Sequence, residues 1–407
     1  MAGAPRAPGV SFSRPSVALL ILLVVLLVEG APPTGTAGPV VRTRPAPSVD
    51  VAVLPPIAQP GFTPAAPELD STVVTATVRP STRGRRAHLE VRRQGRWSVV
   101  ATARTDADGR VTFTAASTVD GRPATYRVRA AGYGGLARVR SAPVRASAWG
   151  TPAFVDGFDG VALGPAWEHR IQFHNPWGGR ACSQGDPTAV VVSGGTVRLS
   201  VLPDPELAGE TCTSYDAHGR PTGTHTYRLN GHISTQSAFD FLYGVAAARI
   251  RFQRQRGQHG AFWLQPRGLL DTGPTPWGAE IDVVEWYGAS RGRERMSTAV
   301  HRHTEGGDEL TSVGGRIDDP DRFLAGRSDR WWTGYHVFSV EWTPHEYVFR
   351  IDGQETTRIT SGVSHHPEFL ILSMLSSDYE LDLIDDEALP QHLDVDWVAA
   401  WSQSNRR

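Results

Sequence analysis

The sequence predicts an all-β protein in which a small immunoglobulin-like sandwich precedes a larger β domain. Two observations carry this expectation. Between Thr72 and Val144, short alternating runs rich in Val, Thr, Ala and Tyr recur between turn signals such as Asp106-Ala107-Asp108-Gly109. Further on, Glu280-Ile281-Asp282-Val283-Val284-Glu285 is β-branched at three of its six positions and closes at Gly288, the pattern of a strand rather than a helix.

Taken in order, residues 1–37 predict a secretory signal. Arg6 and Arg14 precede an apolar run from Val17 to Val28, followed by Glu29 and small residues, with cleavage near Ala37. The twelve-residue run is about 18 Å long as a helix against a hydrocarbon core of about 30 Å, so no stable membrane anchor is expected. Residues 38–68 repeat proline with Ala, Thr and Val and show no persistent period, which predicts an extended linker. Residues 69–148 then offer strands at Thr72–Pro80, His88–Val91, Trp97–Thr102, Val111–Ala115, Tyr126–Ala130 and Val139–Val144, the spacing of an immunoglobulin-like sandwich. That stretch contains no metal-spaced cluster, and is expected to be a spacer or accessory domain.

Composition narrows the classes. The 407 residues carry a formal net charge of −1, which gives no electrostatic reason for a nucleic-acid partner. The basic residues other than histidine are all arginine, and their scatter over the surface needs no polyanion to explain it. The two cysteines, Cys182 and Cys212, are expected to form a disulfide in an exported chain and to brace a cleft edge. The histidine pairs His301/His303 and His365/His366 lack zinc spacing, and there is no phosphate-binding glycine loop or nucleophile elbow.

The chemistry concentrates at residues 280–285. Three carboxylates lie in an otherwise apolar run, and burying unpaired acids is costly unless they are used. On a strand Glu280 and Asp282 share a face and Glu285 falls on the other. One extra residue taken up as a bulge at Val283-Val284 returns Glu285 to the side of the first two. Acids crowded into one cleft push at least one pKa upward, and a protonated acid opposite an ionised one is what glycosidic bond cleavage needs. The backbone from Glu280 to Glu285 spans roughly 13 to 17 Å, and inclined side chains can approach the ~5.5 Å carboxyl separation of retaining enzymes. Acid-rich strands also line calcium sites and solvent faces of sheets, but Trp263, Trp277, Trp286 and Tyr287 flank this one, and such rings are platforms for sugars.

With these residues in view, the segment resembles the signature of family 16 glycoside hydrolases in its longer E-x-D-x-x-E form, that of the laminarinase-like branch. The resemblance runs from Phe154 to Ser402. It includes Phe154-Val155-Asp156-Gly157-Phe158, Gly231-His232-Ile233-Ser234, Tyr243-Gly244-Val245-Ala246, Ala261-Phe262-Trp263-Leu264, Tyr335-His336-Val337-Phe338 and Val395-Asp396-Trp397-Val398, in that order. It implies a β-jelly-roll catalytic domain over 150–403, with Glu280 the nucleophile, Asp282 its electrostatic helper and Glu285 the general acid/base. It also implies Trp263, Trp277 and His301 as sugar contacts, and no cofactor for the chemistry. Gly157 stands where the family often has an acid, which weakens the expectation of a structural calcium, and leaves Asp396 as its candidate ligand. The segment from Arg302 to Asp308 departs from the glucanase forms.

The expected function is therefore a secreted, retaining, endo-acting hydrolase of a β-linked polysaccharide, with β-1,3-glucan first and a β-galactan second. A transglycosylase with the same acids and a non-catalytic carbohydrate-binding protein on the same scaffold are the alternatives.

Overall fold

Alternation along the chain becomes two layers wherever one face of a strand is apolar. The computed structural model describes residues 46–67, 71–175, 179–216, 218–267, 278–289, 296–303 and 310–403. Among these the helices are short 3-10 turns, and none is long and apolar enough to cross a membrane. The signal and its cleavage site lie outside the described residues.

The first strands are β1 (Ser48–Ala58), β2 (Ser71–Arg79), β3 (Arg86–Arg93), β4 (Arg96–Arg104), β5 (Arg110–Ala116) and β6 (Thr125–Ala130). One sheet has the order β1-β2-β5; in the other β6 and β4 flank β3, and two-residue strands from 139 to 145 pair with β6. Val53, Val74, Val78 and Phe113 from the first sheet meet Leu89, Val91, Tyr126 and Val128 from the second in one core. The result is a small two-sheet sandwich. The expected linker is corrected here, because Ser48–Ala58 is a strand paired antiparallel with β2. Its prolines hid the alternation; Val49 and Val53 nonetheless enter the sandwich core, and Leu54 and Ile57 are buried as well.

The larger layer pair contains β7 (Thr196–Pro203), β8 (Arg228–Ser234), β9 (Gly244–Arg251), β10 (His259–Pro266), β11 (Ala279–Trp286), β12 (Met296–His303), β13 (Leu310–Arg316), β14 (His336–Trp342), β15 (Tyr347–Ile351), β16 (Gln354–Ile359), β17 (Glu368–Leu375) and β18 (Gln391–Ser402). Their order is β13-β12-β11-β10-β17-β8-β7-β18-β9-β14-β15-β16, one continuous antiparallel sheet folded on itself as a jelly roll. Strand β8 makes the fold, since Asn230 and the residues before it pair with β7 while Gly231 to Ser234 pair with β17. A Cβ on Gly231 would come within 2.8 Å of Ser200 N and 2.9 Å of Leu199 Cα, so the crossing needs glycine.

Side chains of alternate parity from both halves fill the interior, among them Ile233, Phe262, Ile281, Val284, Trp286, Phe338, Leu372 and Val398. The other parity of β9 and β18 points outward and is buried too. Val245, Ala247, Trp397, Ala399 and Trp401 pack against Leu54, Ile57, Val73 and Trp149 of the small sandwich and its connection. One face of the jelly roll is thus covered, and the opposite one, formed by β8, β17, β10, β11, β12 and β13, carries the acids.

Candidate active site

Strand β11 is placed by its apolar residues. Ile281, Val284 and Trp286 sit in the core, and the Trp286 indole N–H donates to the Gln253 carbonyl at 2.7 Å. The register shows how the acids share the other side. Phe262 of β10 pairs with Val284 and Trp263 with Asp282, so Val283 has no partner; on β12 the shift falls in the same place, between Asp282 and Glu285. The bulge frees backbone carbonyls, and the buried Thr298 hydroxyl sits 2.8 Å from the Asp282 carbonyl and 3.1 Å from that of Val283.

Glu280, Asp282 and Glu285 accordingly lie within electrostatic reach of one another. Burial, reinforced by Glu285 and Glu280 and opposed by a hydrogen bond from His301, pushes Asp282 up to about 8. His301 Nε2 lies 3.1 Å from Asp282 Oδ2, and its Nδ1 lies 2.7 Å from Ser312 Oγ. That hydrogen bond to Asp282 also raises His301, so the pair holds its protons to higher pH than separate groups would. Burial raises Glu280 above the ordinary glutamate range and Glu285 adds to the rise, while His301, Arg180 and Arg170 oppose it. Both oxygens of Glu285 accept hydroxyl hydrogen bonds, from Tyr287 at 2.8 Å and Ser297 at 2.9 Å.

Trp263 is half-buried on the same face, its indole N–H donating to Ser373 Oγ at 3.1 Å. The Arg170 guanidinium lies 5.4 Å from its ring centroid and the His232 ring is stacked at 6.0 Å. Trp277 lies outside the described residues. Cys182 and Cys212 are bonded and pack with Leu381 of the turn Asp378–Leu383. The Asp378 carboxylate accepts the Ala181 N–H, so this turn is tied to the disulfide-bearing segment.

Several groups around the acids had no local signal. Ser297 became a partner of Glu285 only through the sheet, and Arg170, Arg180 and His232 come from far upstream. Glu368 is fully buried, accepts the Ala279 N–H at 3.3 Å, and is held well above the ordinary range by burial. Beside Tyr287, His259 Nδ1 meets Glu380 Oε1 at 2.5 Å; burial pulls this histidine down, but Glu380 outweighs it and keeps it raised.

A strand with an unpaired valine that turns three acids into one groove, beside a histidine and a tryptophan, is an arrangement for working on glycosidic bonds. Residues 211–398 match the family model described as glycosyl hydrolases family 16. This segment is of the glycosyl hydrolase family 16 type. The family 16 segment is similar to the endo-1,3-1,4-beta-glycanases EglC and ExsH of Rhizobium meliloti. EglC is 25% identical over 174 residues, covering 42% of this chain and 33% of the relative. ExsH is 23% identical over 222 residues, covering 53% and 41%. A third relative, the keratan-sulfate endo-1,4-beta-galactosidase of Sphingobacterium multivorum, is 24% identical over 191 residues, covering 45% and 41%. The chain thus spans between a third and two fifths of the length of these curated relatives. Among solved structures, the laminarinase catalytic domain from Thermotoga maritima gives a TM-score of 0.48 at 19% identity, covering 62% of this chain and 98% of that one.

Glu280, Asp282 and His301 each bring a ligand-capable atom within 4.8 Å of the others. The contacts of His301 with Asp282 and Ser312 engage both of its ring nitrogens, so this family 16 site is organised around internal hydrogen bonds. On the covered face, Asp396 occupies a bulge in β18 and accepts from the Arg249 guanidinium and the Ala65 N–H. Arg249 also donates to the carbonyls of Gln59 at 2.7 Å and Thr63 at 2.9 Å. A guanidinium thus already pairs with the carboxylate expected as a calcium ligand.

Proposed function

We propose that this chain is a secreted, retaining endo-β-glycosidase that hydrolyses a β-linked polysaccharide, with β-1,3-glucan as the leading substrate. The observation that carries the reading is the unpaired Val283, which sets Glu285 on the same face as Glu280 and Asp282.

In the first step Glu280 attacks the anomeric carbon while Glu285 gives its proton to the departing glycosidic oxygen, leaving a glycosyl ester on Glu280. In the second, Glu285 takes a proton from water, the water oxygen attacks the same carbon, and the ester bond breaks with Glu280 restored as a carboxylate. Asp282 and His301 retain protons beside Glu280 and so limit the negative charge the nucleophile faces. The Tyr287 and Ser297 hydroxyls orient Glu285 through its two oxygens. No metal or cofactor is required by these steps.

The endo action and the β-1,3 linkage are supported by the likeness to the endo-1,3-1,4-beta-glycanases EglC and ExsH; the Sphingobacterium relative supports a β-galactan as second substrate. Export is supported by the apolar N-terminal run and by the Cys182–Cys212 bond, which belongs to an oxidising compartment. The test is a panel of β-glucans and β-galactans. New reducing ends, products several sugars long and a β-anomer appearing first in NMR are expected. Release of the α-anomer first would overturn retention, and no cleavage of any member would overturn the hydrolase reading.

A further inference from the structure

Arginines buried in the jelly roll are matched with acids in most places. Arg228 lies 2.5 Å from Asp386, Arg251 lies 2.6 Å from Asp394, Arg350 lies 2.9 Å from Glu341, and Arg249 pairs with Asp396. The cleft breaks that pattern. The half-buried Arg170 and Arg180 and the exposed Arg316 form no ion pair with any described residue. Arg170 Nη1 and Arg180 Nε are buried without a hydrogen-bond partner, and so are both ring nitrogens of His232, which is 1% exposed. Burial pulls Arg170 down to about 10.

The acids near Arg180 raise it electrostatically against burial but form no ion pair with it. Asp378 accepts the Ala181 N–H, Glu380 is taken by His259, and Glu280 is the attacking group. On the Glu285 side, a cavity of about 400 Å³ is lined by Tyr287, Ser297, Arg316, Tyr379, Glu380 and Leu383, a volume within the usual range for small ligands. Tyr287 and Ser297 are the two residues that hold Glu285, so whatever fills the cavity sits beside the general acid. Tyr379 is 64% exposed and Leu383 43% exposed, surfaces a sugar would cover. His259 offsets Glu380, leaving Arg316 as the uncompensated charge among the lining residues.

We propose that the cleft takes a β-glycan bearing anionic substituents, and that Arg180 and Arg316 are the side chains that recognise them. A neutral chain would strip water from these cations and return no counter-charge, whereas a carboxylate or sulfate gives short charge-assisted bonds to a planar guanidinium. With a formal net charge of −1 the whole protein does not attract polyanions, so any preference has to arise in the cleft. This specificity rests on the glycosidase reading and adds the charge of the substrate to it.

The experiment compares kcat/KM on a neutral β-1,3-glucan with that on its carboxymethylated and sulfated derivatives of matched length, at low and high salt. At least one anionic polymer is expected to be cut about tenfold better, the advantage shrinking with salt. The better arm tells carboxylate from sulfate. Arg180→Gln and Arg316→Gln should each lower the anionic-to-neutral ratio, and the lysine variants should keep part of it. A neutral polymer cut as well as both derivatives overturns the proposal. So does a ratio unchanged in both glutamine variants, which would mean that these arginines serve only the nucleophile or the fold. If nothing is cut, the glycosidase reading fails by itself, and electrophoresis of Glu280→Gln through gels containing each polymer decides this one. Retardation by an anionic polymer alone, relieved by adding Arg316→Gln, sustains it; equal mobility in all gels overturns it.

Discussion

Glu280 reports on the site through its own titration. Burial and Glu285 raise it, so the acid limb of kcat/KM should fall above 4.5, the ordinary glutamate value. A limb at or below that value in a pH–rate profile would contradict the buried geometry. Glu280→Gln and Glu285→Gln should each reduce turnover by at least about 10³-fold while leaving the circular dichroism spectrum unchanged. Glu368 gives a stability counterpart. Its folded pKa is raised, so the unfolded chain ionises first as pH rises, binds fewer protons than the native state, and gains relative to it. The penalty is absent well below the unfolded value, grows as pH climbs past it, and is complete above the folded one. Glu368→Gln should therefore raise Tm at pH 8 and have little effect at pH 3.5; equal shifts at both would show that the carboxyl is charged in the fold.

Among the elements, β11 depends on the support of its bulge. Thr298 is the hydroxyl neighbour of the carbonyls of Asp282 and Val283, so Thr298→Val should cost about 1 to 3 kcal/mol in urea unfolding and lower turnover, with Thr298→Ser restoring most of both. A fully active, fully stable valine variant would mean the bulge holds itself. The disulfide acts on another edge of the cleft. Its 30-residue loop predicts a loss of about 3 to 4 kcal/mol for the Cys182→Ala, Cys212→Ala double variant, read in the same denaturant series. Because Leu381 packs on the sulfurs, loosening this pair should also affect the Tyr379 wall.

At the scale of the whole molecule, the small sandwich does more than space the catalytic layers from the N-terminus. Trp397, Trp401, Val245 and Ala247 point away from the jelly-roll interior yet are at most 3% exposed, because Leu54, Ile57, Val73 and Trp149 cover them. Arg249 ties the connecting segment to the same face. A fragment starting at residue 150 should bare this apolar surface and show a lower Tm, aggregation, or both. A monomeric fragment that melts with the full chain would remove the sandwich from the stability of the jelly roll.

What the sequence by itself determined is local. Side-chain parity along 280–285 and one surplus valine place three acids on a common face, because facing is set by the backbone period of two and a single inserted residue shifts it. His301 and Trp263 follow as residues on the neighbouring strands. Local periodicity carries no information about partners, so the rest was decided by the tertiary structure. The proline-bearing stretch 48–58 became a strand because β2 and the back of the jelly roll supply a pair and a core for it. Ser297 holds Glu285 only once β11 and β12 are in register. Arg170, Arg180 and His232 reach the acids only because the curled sheet and the segments packed on it bring positions about 50 to 110 residues apart into one groove. That Arg170 and Arg180 form no ion pair with a described residue is a property of that groove, since a cation's partner is settled by what the fold places within a few ångströms of it.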